Sequence, residues 1–278
     1  MNINTSEGAN IPSAAPIYNK VGIFKICCAA LVLALAVTSG ILFGAGFDSN
    51  AMYFSSPATT YIFGGITAAV IIAAVILAIL SKGQIEPRRC RATTLLQYVA
   101  ALVLFCLFLQ SVMSKKLLLT AFSLIAIAYF LGLSNKRIIL NTLLGIGAVI
   151  FCGVAITQTY FDYGIPVNSP YKLLCQFGMA VSMLLIVSEL RFELGGGRSG
   201  LYKLFSCIAL TLNLSASVAS IVLLAGGAQD IHYCFIPCLS IAIYSSKIFF
   251  ASPISEASPD ISTENSDEKG TDTDENVN

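Results

Sequence analysis

Apolar stretches separated by short polar or glycine- and proline-containing breaks fill most of this chain. A helix needs about 20 mostly apolar residues to cross the hydrocarbon of a bilayer. By that measure eight spans are predicted: Gly22–Gly46, Tyr61–Leu80, Leu95–Val112, Leu117–Leu133, Ile138–Thr159, Tyr171–Leu190, Leu201–Ala225 and Tyr233–Phe250. Only "SVMSKK" separates the third from the fourth, so those two form a tight helical hairpin. The expected fold class is all-α, a polytopic integral membrane protein of about eight transmembrane helices. The first stretch is too long for a signal-peptide core and lacks a convincing cleavage site, so it reads as a retained anchor.

Composition agrees with the pattern. Hydrophobic residues make up 56% of 278 and charged residues 11%, against about a quarter charged in soluble domains. Mean hydropathy is +0.80. The formal net charge of +1 hides a segregation. From Ala251 onward stand eight acids and one base, a net −7, which leaves 15 bases and 7 acids, a net +8, before it. The chain therefore divides into a polar cytoplasmic arm over 1–21, a transmembrane domain over 22–250 and an acidic tail over 251–278. The tail is too polar to bury enough surface to order itself. It is expected to stand off an anionic leaflet and to offer a docking segment to a basic protein partner.

Charge also orients the spans. With the N-terminus inside, Lys20, Lys25, Lys82, Arg88, Arg89, Arg91, Lys136, Arg137, Arg191, Arg198, Lys203, Lys247 and Lys269 are cytoplasmic, and Lys115, Lys116 and Lys172 are not. That sorting follows the positive-inside rule and puts both termini in the cytoplasm, in the plasma (cytoplasmic) membrane. The chain has no Trp, so tyrosine is expected to supply the interfacial aromatic belts. Tyr53, Tyr61, Tyr160, Tyr163, Tyr171 and Tyr233 fall at outer span ends, and Tyr18, Tyr98, Tyr129, Tyr202 and Tyr244 at inner ones.

Two outer loops resemble each other: "FDSNAMYFSSPATTYIFG" and "FDYGIPVNSPYKLLCQFG" each carry Phe-Asp, then Ser-Pro, then Phe-Gly. They raise the prospect of a 4+4 parallel repeat, about 22–133 and 138–250. Transporters built from such repeats hold their sites near the repeat interface.

Candidate chemistry concentrates in the sixth span. At about 100° per residue, Lys172, Cys175, Gln176, Met179, Ser182, Met183, Glu189 and Glu193 share one arc, with Leu174, Phe177, Val181, Leu184 and Leu185 opposite. The polar arc should face the bundle, and the apolar side lipid. Lys172 and Glu189 are 17 residues apart, about 25 Å along a helix, so they cannot meet. Lys172 is expected to snorkel to water at the outer boundary. Glu189 is expected to pair with Arg191 or with a neighbouring helix. Asn168 or Ser169 caps this helix, with Pro170 in its first turn. Lys172, Gln176, Ser182, Glu189 and Arg191 are thus the residues assigned to a solute or ion pathway.

Other groups read as structural. Gln97, Gln110, Asn141, Gln158 and Asn213 suit interhelical hydrogen bonds, and Gly40 and Gly44 suit close helix approach within the chain. His232, Cys234 and Cys238 make three zinc ligands where four are wanted. Gly195–Gly197 lacks the Lys-Ser/Thr of a phosphate loop. No cofactor, metal or catalytic residue is expected, and the basic residues serve topology rather than nucleic acid. The expected partners are lipid and a small solute or ion. The preferred reading is a small-solute transporter or permease-like protein. The alternative is a non-catalytic membrane partner, sensor or accessory subunit, and an intramembrane enzyme finds no catalytic constellation. Reporter tags fused before Met1 and after Asn278 should both report the cytoplasmic side. Opposite sides would refute an even number of crossings.

Overall fold

The computed structural model describes residues 15–48, 51–81, 85–87, 90–132, 138–228 and 231–253. The polar arm up to residue 14 and the acidic tail beyond 253 lie outside the described residues. The elements are α1 (Ala15–Gly46), α2 (Pro57–Leu80), α3 (Arg91–Met113), α4 (Leu117–Phe130), α5 (Ile138–Tyr160), α6 (Pro170–Glu193), α7 (Ser199–Ala225) and α8 (His232–Ser245). A 3-10 turn, Ser246–Phe250, continues α8. Two-residue strands pair antiparallel at the bundle ends: β1 (Phe47–Asp48) with β2 (Tyr53–Phe54), and β3 (Ile85–Glu86) with β4 (Ser252–Pro253).

Seven of the helical stretches are long and apolar enough to cross a membrane. The exception is α4, at 14 residues. It rises about 21 Å against a hydrocarbon core of about 30 Å, so the expected span Leu117–Leu133 is cut short. The cause is local. Gly132, at φ +63°, takes the left-handed conformation and donates its N–H to the Tyr129 carbonyl, which closes the helix end. α6 stops in the same way. Gly195 has φ +76°, and the Gly195 and Gly196 amides return to the carbonyls of Phe192 and Arg191. The Ser-Pro pairs of the two similar loops both start helices, with Ser56 and Ser169 as N-caps and the prolines in the first turn.

Side-chain bonds between connections fix which ends lie together. At one end, called distal, Ser169 Oγ donates to the Met52 carbonyl (2.7 Å), Tyr233 OH to Ser114 Oγ (2.7 Å), and Cys234 Sγ contacts Thr159 Oγ1 (3.7 Å). The α1–α2, α3–α4, α5–α6 and α7–α8 connections therefore share that end. At the proximal end Lys25 Nζ donates to the Ala251 carbonyl (2.8 Å), Lys203 Nζ to the Ser81 carbonyl (2.6 Å), and Asn141 Nδ2 to Glu193. Despite its length, α4 thus carries the chain from the distal to the proximal side. Among the described residues Lys25, Arg91, Arg191, Arg198, Lys203 and Lys247 are proximal, and Lys115, Lys116 and Lys172 distal.

α7 is the axis of the bundle. It packs against α1, α2, α6 and α8, while α3, α4 and α5 complete a ring from α8 round to α6. α5 packs on α4 and α6, whereas α1, its counterpart in a 4+4 repeat, packs chiefly on α7. Close approach depends on small residues, since lipid provides no hydrophobic drive for helices to associate. Gly40 and Gly44 meet Val218 and Val222 of α7. Gly145 lies under Leu190, and Gly147 under Ile125.

A methyl added at Gly147 would fall 2.3 Å from Ile125 Cγ2, and one at Gly64 would meet nothing within 4 Å. Gly147→Ala should therefore destabilise the protein by about 1–3 kcal/mol through overpacking. Gly64→Ala should leave its Tm unchanged or raised. Equal Tm values for the two variants in detergent would refute this account of the α4–α5 contact.

Candidate functional site

α6 presents a buried polar face. Cys175, Met179, Ser182 and Glu189 are buried, and Gln176, Met183 and Glu193 are half-buried. The opposite side is narrower than the wheel implies. Leu173, Phe177, Leu184 and Val187 are exposed, but Leu174 and Leu185, expected to face lipid, are buried. The reason is packing: α5, α7 and α8 all contact α6, leaving only a stripe for lipid.

Lys172 also departs from expectation. It does not snorkel, being 0% exposed. Its ammonium donates to the carbonyls of Asp162 and Ile165, both at 2.8 Å. These bonds satisfy a loop that no ladder supports, so Lys172 clasps the α5–α6 connection. Ser169 is the N-cap residue, but its hydroxyl bonds Met52 in the α1–α2 connection rather than its own helix.

At mid-helix, Asn213 of α7 joins Ser182 of α6. Its Nδ2 donates to Ser182 Oγ (2.9 Å) and to the carbonyls of Gly178 (3.1 Å) and Ala209 (2.8 Å). This works because Gly178 has no Cβ: one built there would lie 2.9 Å from Asn213 Oδ1. Asn213 Oδ1 and Gln176 Nε2 are buried without a hydrogen-bond partner. Of the amides read as interhelical, Asn213 and Asn141 bridge helices.

The charged cluster lies nearer the proximal end. Glu189 is 5% exposed. Its Oε2 accepts from Lys247 Nζ (2.8 Å) and from Tyr244 OH (2.6 Å). Its partner is thus Lys247 of the 3-10 turn, and Arg191 points outward, exposed. Lys247 Nζ also sits 3.6 Å from the centre of the Tyr244 ring, a cation–π contact that strengthens away from water. Phe130 stacks on Tyr244 at 4.3 Å, with Tyr129 beside it at 6.2 Å. From α7, Tyr202 packs edge-on against Phe192 at 5.7 Å and lies in the electrostatic field of Glu189, with Ser206 next to it. Glu189 Oε1 is buried without a hydrogen-bond partner, and the buried Tyr202 OH and Ser206 Oγ face each other outside good hydrogen-bond geometry. Half of the carboxylate is therefore satisfied twice, and half not at all.

Tyr129, Tyr171, Tyr202 and Tyr244 were expected in the interfacial belts, and all four are buried. Tyr171 instead bonds Ser220 at 2.7 Å. Tyr61, Tyr98, Tyr160 and Tyr163 are exposed, as belt residues would be. Sequence reasoning missed Lys247, Tyr244, Tyr202 and Ser206 as parts of the site. Lys247 carried a signal, as a lysine ending an apolar run, but that signal equally fits a topogenic charge.

Two apolar grooves open elsewhere. One of about 320 Å³ lies between α2 and α6, over Phe63, Phe177 and Leu212. The other, about 360 Å³, is lined by Val32, Leu96, Leu214 and Phe249. Neither reaches Gln176, Ser182 or Glu189. Cys28 and Cys207 lie with sulfurs 3.2 Å apart between α1 and α7. Among the described residues no group of three or more His, Cys, Asp and Glu is arranged to hold a metal ion. Comparison of the chain with protein-family models, curated proteins and solved structures gives no match, so the site is interpreted from its own geometry.

Removing one member of a buried ion pair strands the other and costs about 3–5 kcal/mol, whereas removing both costs much less. Lys247→Met alone should therefore destabilise more than Glu189→Gln with Lys247→Met. Unfolding of the purified variants in denaturant measures both, and additive losses would show that the pair is not coupled.

Proposed function

We propose that the protein is a small-solute transporter or permease-like protein of the cytoplasmic membrane. In this reading the chain crosses the bilayer eight times, with the proximal end and both termini in the cytoplasm. The concentration of lysine and arginine at the proximal end supports that orientation. The observation that carries the function is the Glu189–Lys247 pair, buried in a lipid-embedded bundle with one carboxylate oxygen bare. Ionisable groups are expensive at such positions and mark pathways by default. Gln176 and Glu189 lie 13 residues apart on α6, about 20 Å along its axis. Between them run Ser182 and, from α7, Asn213 and Ser206, so polar groups follow the α6–α7 seam from the distal third of α6 to its proximal end. Gln176, Ser182 and Glu189 are the pathway residues. Lys172 serves as the clasp of its outer mouth, and Arg191 lies at the cytoplasmic exit.

A second reading, a non-catalytic partner or accessory subunit, draws support from the local pairing of Ser182 with Asn213 and from the grooves that stop short of the seam. The acidic tail would then engage a basic partner. An uptake screen in proteoliposomes, run on the wild type and Glu189→Gln, separates the two. Transport predicts a solute whose uptake falls roughly tenfold or more in the variant, the equivalent of one lost charge-assisted bond. Uptake unchanged by Glu189→Gln would remove this pathway.

A further inference from the structure

The Glu189 cluster has features beyond a buried charge, and together they define a chemistry. We propose that it is a recognition site for a small primary ammonium, whose position the chain's own Lys247 fills. The inference rests on the transport reading and gives that pathway its substrate class.

The cluster's shape is that of an ammonium receptor. A carboxylate supplies the counter-charge, and the Tyr244 ring supplies a π face 3.6 Å from the Lys247 nitrogen, backed by Phe130 at 4.3 Å. Aromatic faces beside a carboxylate favour an organic cation. An inorganic cation such as sodium would want oxygen on all sides, and the Tyr244 and Phe130 faces offer none. An anion would be repelled by Glu189, and Lys247, the ammonium in contact with that carboxylate, is already engaged. One oxygen of the carboxylate, Glu189 Oε1, is buried with no donor on it, and Tyr202 and Ser206 face each other beside it. A primary ammonium carries three N–H donors, so one free of the Lys247 backbone can bond Glu189 Oε2 as Lys247 does and Oε1 as Lys247 does not. A quaternary ammonium has no N–H and can bond neither.

Lys247 can yield the position. It stands on the 3-10 turn after α8 rather than on a long helix. Its side chain keeps 9% of its surface exposed, so the residue is not fully sealed in the bundle. From there a lysine can extend its ammonium into water at the membrane boundary. An incoming ammonium would then take over Glu189 Oε2 and the Tyr244 face, and the net charge of the buried site would not change. That exchange avoids the large cost of leaving a carboxylate unpaired in low dielectric.

The experiment uses the full chain purified in detergent, with n-butylammonium, a match for the lysine stem, as the probe. Thermal unfolding by circular dichroism reports binding. In Lys247→Ala the probe should raise Tm by roughly 2–4 °C at about ten times its Kd. Wild type should respond with a Kd roughly tenfold weaker, since Lys247 competes. Tetramethylammonium should bind Lys247→Ala roughly tenfold less well than n-butylammonium. Adding Glu189→Gln to Lys247→Ala should abolish the response. Absence of any response in both wild type and Lys247→Ala overturns the proposal, as does an equal response in the Glu189→Gln double variant. If Lys247→Ala does not fold, the wild-type titration decides. A response weakened by Ser206→Ala sustains the site, and no response removes it. Uptake is read separately in proteoliposomes. Glu189-dependent uptake restricted to solutes without an amino group would refute the ammonium class and keep the transport reading. Probe binding without uptake of any amine would keep the site and remove transport.

Discussion

Hydrocarbon offers no hydrogen bonds, so every polar group carried into a bilayer must find its partner inside the protein. The central helix α7 shows how this chain meets that constraint. It buries Ser206, Thr211, Asn213, Ser215, Ser217 and Ser220, an unusual load for the axis of a membrane bundle. Four of the hydroxyls bend back to carbonyls four residues earlier: Thr211 to Cys207, Ser215 to Thr211, Ser217 to Asn213 and Ser220 to Ala216. Such back-bonding satisfies a hydroxyl without a second helix. The small side chains then let α1, α2, α6 and α8 pack against α7. Ser206 breaks the habit, since its oxygen makes no such bond, and it is the serine that neighbours Tyr202 and the Glu189 field. Polarity is therefore neutralised along most of the axis and left open at Asn213 Oδ1 and, nearer the proximal end, at Ser206.

The level of Ser206 is also where charge is buried. An ion pair removed from water gains Coulomb energy in the low dielectric but loses solvation, and the balance favours it only when the remaining lone pairs are met. Glu189 meets that condition on one oxygen and fails it on the other. The distribution of donors, two on Oε2 and none on Oε1, is what distinguishes this pair from the Lys172 clasp at the opposite end. There each ammonium bond ends on a loop carbonyl.

The spans were legible because run length and hydropathy are properties of a single segment. The direction of the polar arc on α6 was legible for the same reason. What escaped the sequence depends on neighbours. Leu174 and Leu185 are as apolar as Phe177 and Leu184, and only the packing of α5, α7 and α8 separates buried from lipid-facing leucines. Tyr98 and Tyr244 both fall near proximal span ends, yet one is 51% exposed and the other 2%. Interfacial and core tyrosines share one sequence signature, since both combine an apolar ring with a polar tip. The pairing of Glu189 with Lys247 spans 58 residues, whereas Arg191 stands two away. Residues two apart on a helix point to different sides, which is why proximity in sequence misdirects here. The short α4 escaped because its apolar run continues through Leu131 and Leu133, and only the conformation of Gly132 reveals the stop.

That early stop connects the fold to the site. α4 and α8 are the two shortest helices, 14 residues each, and both finish at the Glu189 cluster. Tyr129 and Phe130 are the last residues of α4, and Tyr244 is the second-last of α8. A helix that ends inside a bundle leaves carbonyls pointing along its axis and a partial negative charge there. Such ends favour a cation nearby, and Lys247 follows α8 by two residues. Lys247 lies three residues beyond Tyr244, and residues so spaced eclipse each other in 3-10 winding, which places the ammonium over the Tyr244 ring. The ends of α4 and α8 at one depth thus supply the site with its aromatic wall, and the 3-10 continuation of α8 supplies its cation.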